Sequence, residues 1–299
     1  MTRPSPSPRV FSLRHIGLGI ALIALLAAAL WLVPAKNTPV LLHSEPSRFG
    51  TLLVFEEQDE RCMNFNSIND LGRQTCMSLT HPEQLVFDYT QMMMTALYVN
   101  PEPKHILIIG LGGASLQNAL AKALPDAIID SVEIDPAVGT VAQRYFGYRP
   151  GPRQRLFLED GRNYVERAAR EGTRYDMVML DAFDVDYVPK HLMTLEFLQH
   201  VRAILAPGAV VVANTFTNSE LYEHESATYA AVFGDFFNLE SGNRVIIASN
   251  KTLPETAVLT NNARTWQSHL ARLGIDSDQA LARFSSIKKP ANGANVLRD

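Results

Sequence analysis

The sequence predicts an α/β fold, a mostly parallel sheet with helices on both sides, over residues 104–286. Three observations predict it. From residue 104 the chain alternates short apolar runs with helical segments. The runs are continuous in hydrophobicity, as in strands covered on both faces. Glycines or carboxylates follow successive runs, at the places where open parallel sheets bind ligands.

Each element can be justified in order. His105-Ile106-Leu107-Ile108-Ile109 is the first such strand, and 114–124 reads as the helix behind it. Residues 128–134 form the second strand. The helix over 136–146 starts on Pro136, whose missing N–H costs nothing in a first turn. Strand 155–158, helix 161–171 and strand 175–180 follow. A helix over 192–205 is stopped by Pro207-Gly208, ahead of strand 209–214. Beyond these come a helix over 222–236, a strand over 243–249, and helices over 263–273 and 277–284. Residues 287–299 read as a flexible tail.

Ahead of this catalytic-type domain, residues 37–103 read as a linker, a small β cap and a connecting helix. The linker is 39–47. The cap has three strand-like runs, 50–56, 61–66 and 73–79, bounded by turn residues. The helix over 83–99 is closed by Pro101 and Pro103.

Residues 1–36 stand outside the fold. Residues 16–35 run twenty positions without a charge, enough to cross roughly 30 Å of hydrocarbon as a helix. Arg3, Arg9 and Arg14 precede this run, which leaves the N-terminus cytoplasmic and points the rest outward. The reading is a single-pass anchor in a bacterial inner membrane. A cleaved signal peptide ending near Val33-Pro34-Ala35 is the rival.

Composition narrows the function. Lys and Arg number 27 against 31 Asp and Glu, a net charge of −4. No long basic run exists, so the electrostatic footprint of a nucleic-acid binder is missing. The eight histidines show no metal-ligand spacing, and no metal site is predicted. The two cysteines, Cys62 and Cys76, flank the turn-rich stretch 66–72. In a hairpin centred on Asn69 they would lie nearly opposite. Two readings follow: a disulfide in an oxidising compartment, or two half-buried thiols packing as small hydrophobes.

The strand tips carry the chemistry. After the first strand come Gly110, Gly112 and Gly113, where a ligand can approach the backbone with no Cβ in the way. After the second, Glu133 stands about 20 residues past the glycine loop, the offset of a carboxylate that accepts both ribose hydroxyls. Asp135 reads as the cap of the helix that Pro136 starts. After the third, Asp160 offers an acceptor to an adenine amino group and Gly161 leaves room for the ring. Asp160 also suits a helix N-cap. After the fourth, Asp181, Asp184 and Asp186 crowd into six residues. Like charges so close raise one another's pKa, an arrangement that suits holding a cation.

These runs resemble the spermidine synthase family. The resemblance covers roughly 43–236 and rests on HILIIGLGGASL, SVEIDPAVGTVAQRYF, LEDGRNYV, YDMVMLDAFD and LAPGAVVVANTF. It is nearest to the bacterial branch with a membrane-spanning N-terminal part. It implies the Rossmann-like class I methyltransferase fold, and transfer of an aminopropyl group from decarboxylated S-adenosylmethionine to a diamine such as putrescine. Nothing is held permanently: the nucleoside is a co-substrate and the other ligand a small polyamine. By the same resemblance Glu133 binds ribose and Asp160 with Gly161 forms the adenine site. Asp181 activates the amine, Asp184 binds the diamine, Gln74 contacts the nucleoside, and Tyr89 falls near a substrate-binding segment. The family often forms homodimers. Two departures stand out. Gly113 occupies the place of a substrate-binding aspartate, and the family's Tyr-His-Glu segment near Tyr89 is not preserved.

Two rivals share the fold: an S-adenosylmethionine-dependent methyltransferase, and a non-catalytic membrane-anchored binder of polyamines or nucleosides. An NAD-type oxidoreductase is disfavoured, because no hydride-transfer partner is evident.

Overall fold

The computed structural model describes residues 38–70, 72–183, 187–287 and 294–299. The apolar run at 16–35 lies outside these residues, as does Asp184. Among the described residues no helix is long and apolar enough to cross a membrane.

Two sheets organise the chain. The first is an antiparallel cap in sequence order: β1 (Val40–Ser47), β2 (Gly50–Glu57), β3 (Glu60–Phe65) and β4 (Thr75–Ser78). The segment read as a linker is therefore mostly strand. Its sequence hides this, because β1 is an edge strand whose Val40, Leu41 and Leu42 stay exposed and show no buried face. One face of the cap, with Leu52, Val54 and Met63, packs on Leu111, Val138 and Phe146 of the larger domain. On its other face Cys62 and Cys76 stand directly opposite in the β3–β4 register, joined as a disulfide with Cα atoms 4.1 Å apart.

After the cap, α1 (Asp88–Met94) runs into a 3-10 turn, Thr95–Tyr98. The expected helix over 83–99 is thus shorter. Its threonines explain part of this: the Thr90 and Thr95 hydroxyls donate back to the carbonyls of Phe87 and Met92, three residues earlier.

The second sheet contains β5 (His105–Ile109), β6 (Ile128–Glu133), β7 (Gln154–Leu158), β8 (Tyr175–Leu180) and β9 (Leu205–Phe216), all parallel. It is extended antiparallel by β11 (Asn243–Ser249), β10 (Phe236–Ser241) and β12 (Ser285–Ile287). The order is β12-β10-β11-β9-β8-β5-β6-β7. The chain leaves β5 for one side and later returns to the other, so the topological switch lies between β5 and β8. The intervening helices are α2 (Ser115–Ala123), α3 (Pro136–Tyr145), α4 (Gly161–Glu171), α5 (Leu195–Ala203) and α6 (Tyr222–Phe233). The continuous apolar strands serve two cores at once. Met177 and Met179 of β8 face one core and Val178 the other; in β9, Val210 and Val212 oppose Val211 and Ala213.

Differences from the sequence reading gather near the C-terminus. The helix expected to 236 stops at Phe233, because Gly234 adopts φ +82° and ends it. The apolar residues beyond it form β10. The next helix, α7 (Thr256–Arg272), begins earlier than expected, and α8 (Ser277–Ala282) is shorter. Of the stretch read as a flexible tail, 294–299 is packed on the domain by hydrogen bonds and ion pairs described below.

Candidate active site

At the carboxyl ends of β5, β6 and β8 a cavity of about 210 Å³ opens, roofed by the cap and by α1. Gln74, Tyr89, Gly110, Gly112, Gly113, Glu133, Asp160, Gly161 and Asp181 all line it. One cavity thus gathers every described residue that the sequence singled out for ligand contact. Asp184 belongs to the segment outside the described residues.

The glycine loop owes its shape to close approach. Gly110 sits at φ +101°, and a Cβ there would lie 2.2 Å from the Asp181 carbonyl oxygen. No larger residue fits between the first and fourth strand tips. Gly113 is constrained by the cap instead: a Cβ would stand 2.6 Å from Thr75 Cγ2 and 2.7 Å from its Oγ1. Gly113 is therefore matched to the way β4 rests on the loop. Gly161 abuts Ile109, 2.5 Å from where its Cβ would be. The buried Gln117 amide donates to the Gly110 carbonyl at 3.0 Å and braces the loop from α2.

Glu133 ends β6 with its carboxylate buried. Its two oxygens each accept one backbone N–H, from Leu111 at 3.1 Å and from Asp135 at 2.9 Å. Burial pushes its pKa up, and those two N–H groups pull it back. The orientation is thus fixed by main chain. Asp135 caps α3 through Ala137 N and also accepts Arg48 N from the β1–β2 turn at 2.8 Å, fastening the cap to the domain.

Asp160 is the N-cap of α4: Oδ1 accepts from Arg162 N at 2.9 Å and Asn163 N at 3.1 Å. Its other oxygen, Oδ2, lies 3.0 Å from His191 Nε2. The helix cap and the His191 contact thus use different oxygens of one carboxylate.

Asp181 follows β8 and sits deeper. Removal from water pushes its carboxyl up to about 7, against the pull of hydrogen bonds from Asn214 and Tyr89. Asn214 Nδ2 donates to Asp181 Oδ1 at 3.0 Å. Asn214 Oδ1 in turn accepts from Asn243 Nδ2 at 3.0 Å, which fixes the Asn214 amide with its donor toward Asp181. The Tyr89 hydroxyl is pushed well up by burial and by the charge of Asp181. A carboxylate balanced near neutrality on a cavity floor can take a proton from an incoming ammonium or amine.

Asn214, Asn243 and His191 went unnoticed in the sequence. Asn214 carries a local signal: it is an amide near the carboxyl end of an otherwise apolar strand, where the other four strands present their ligand groups. Asn243 and His191 carry no such local mark, since only the tertiary fold brings them to the site.

Residues 86–264 match the family described as the spermine/spermidine synthase domain. A polyamine aminopropyltransferase of Vibrio vulnificus is 42% identical over 241 residues, covering 79% of this chain and 81% of that protein. A probable spermidine synthase from Corynebacterium glutamicum superposes with a TM-score of 0.68 at 19% identity, over 86% of this chain and 96% of that one. A spermidine synthase solved with a transition-state analogue gives 0.60 at 19% identity, over 81% and 88%. At those identities the two structures speak for the fold.

Proposed function

The chain belongs to the spermine/spermidine synthase family, and from that premise we propose that it transfers the aminopropyl group of decarboxylated S-adenosylmethionine to a diamine such as putrescine. The observation that carries this reading is a single cavity with a ribose-type carboxylate, Glu133, at one end and a near-neutral carboxylate, Asp181, on its floor.

The chemistry follows from charge. The sulfonium makes its attached propyl carbon electrophilic. A neutral amine nitrogen attacks that carbon in line, the carbon–sulfur bond breaks, and its electron pair stays on sulfur as neutral methylthioadenosine. The new carbon–nitrogen bond leaves an extra proton on nitrogen, which Asp181 accepts. Placing the two reactants in register supplies much of the rate. Glu133 holds the ribose, Asp160 with Gly161 receives the adenine, and Gln74 contacts the nucleoside from the cap. Tyr89 and Asp184 complete the amine end. Turnover with both nucleosides tests the assignment: decarboxylated S-adenosylmethionine plus putrescine should yield spermidine. Activity with intact S-adenosylmethionine alone would favour the methyltransferase.

The run at 16–35 is, in the same reading, an uncleaved inner-membrane anchor with the domain on the periplasmic side. The arginines before it and the Cys62–Cys76 disulfide both support that side. A phosphatase reporter fused after residue 299 should be active if this holds and silent if the domain is cytoplasmic.

A further inference from the structure

Residues 294–299 cross the outside of the domain and are bound to it at every turn. The Leu297 carbonyl accepts from Leu195 N at 2.8 Å, satisfying a free N–H in the first turn of α5. Leu297 N donates to Thr228 Oγ1 at 2.9 Å, and the Asn295 carbonyl lies 2.7 Å from His224 Nδ1 on α6. Arg298 reaches Glu196 at 3.0 Å, and Asp299 N donates to the same carboxylate.

The segment reaches Arg162, one residue removed from the cavity wall. Both carboxylate oxygens of Asp299 accept from Arg162, at 2.6 Å and 2.5 Å, in the bidentate geometry that fixes a guanidinium in direction as well as distance. Arg162 Nε donates to Glu166 at 2.9 Å, and its Nη1 also donates to the His191 carbonyl at 3.2 Å. His191 belongs to the 3-10 turn Lys190–Leu192, and its ring meets Asp160 Oδ2. Both His191 and Asp160 line the cavity. An ion pair whose acid stands largely in solvent stabilises a fold little. Its geometry is what matters here, because it sets where Arg162 holds the backbone of a wall residue.

We propose that residues 294–299 are a strap that positions the adenine-side wall: Asp299 orients Arg162, Arg162 holds the His191 turn, and His191 steadies Oδ2 of Asp160, the oxygen that the helix cap leaves free. The proposal rests on the reading that the base lies against Asp160. Asp299 and Arg162 are positioning residues. A fixed Asp160 oxygen accepts from the amino group of adenine and repels the carbonyl of hypoxanthine. With Oδ1 held by the Arg162 and Asn163 N–H groups, an Oδ2 that has lost His191 is less well fixed and loses part of that distinction.

Calorimetry on the full chain tests this, with methylthioadenosine and methylthioinosine as probes. Asp299→Asn and Arg162→Gln should each weaken methylthioadenosine about tenfold, the scale of one lost charge-assisted contact. Methylthioinosine should change far less, so base selectivity narrows. The double variant should be no weaker than either single, since both break one chain of contacts. Asp299→Glu should recover part of the selectivity. If Arg162→Gln does not fold, Asp299→Asn decides alone. A variant with lowered melting temperature but wild-type affinity and selectivity would overturn the strap as a positioning device. Wild-type protein that binds neither nucleoside would instead remove the reading of the site, and the strap's role with it.

Discussion

The carboxylates assigned above to nucleoside binding and the one assigned to the amine are held by different means. Glu133, and Oδ1 of Asp160, are held by backbone N–H groups within a few residues or one strand of themselves. Asp181 is held by side chains from two distant elements, Asn214 on β9 and Tyr89 on α1, with Asn243 on β11 fixing the Asn214 amide. The first arrangement fixes a ligand's place. The second leaves a carboxylate whose protonation its neighbours can tune. Binding and proton transfer should therefore be separable by mutation.

The largest effect expected is at Asp181. Asp181→Asn should cut turnover by about 10²–10⁴, the range of a lost general base, while nucleoside affinity stays within a few-fold. Steady-state kinetics beside calorimetry would show it; an equal loss in both would erase the distinction between the two ends. Next comes Glu133→Ala, which should weaken nucleoside binding about 10- to 100-fold by removing a buried charged acceptor. Turnover at saturating nucleoside should fall much less.

These two ends were unequally legible in the sequence. The glycine loop, Glu133 and Asp160 could be read directly, because their roles depend on local backbone: a turn, a strand tip, a helix start. Asp181 could be read as a strand-tip carboxylate, but not its environment, since Asn214 and Asn243 meet it only through the β8-β9-β11 order. β1 carries no apolar alternation, because its half-buried positions, His43, Glu45 and Ser47, are polar. The 294–299 segment escaped notice because its partners, Arg162, Glu196 and Thr228, lie far away in the chain.

A smaller effect should follow from Asn214→Ala. It deletes a hydrogen bond that lowers the Asp181 pKa, so that pKa rises further. Because the base works deprotonated, the rising limb of the pH–rate profile moves to higher pH. The loss should be about tenfold on that limb and recover at alkaline pH. A loss constant with pH would point to structural damage. Smallest is Gly113→Asp. Its side chain would collide with Thr75, costing about 1–3 kcal/mol of stability. Thr75→Ala in the same chain should return part of it, measurable by thermal denaturation.

The pH dependence of kcat/KM for the diamine, measured on wild-type protein with decarboxylated S-adenosylmethionine saturating, bears most directly on Asp181 as the proton acceptor. A limb that rises with pH through about 7, and is lost in Asp181→Asn, is the result expected. The same limb surviving intact in Asp181→Asn would contradict it.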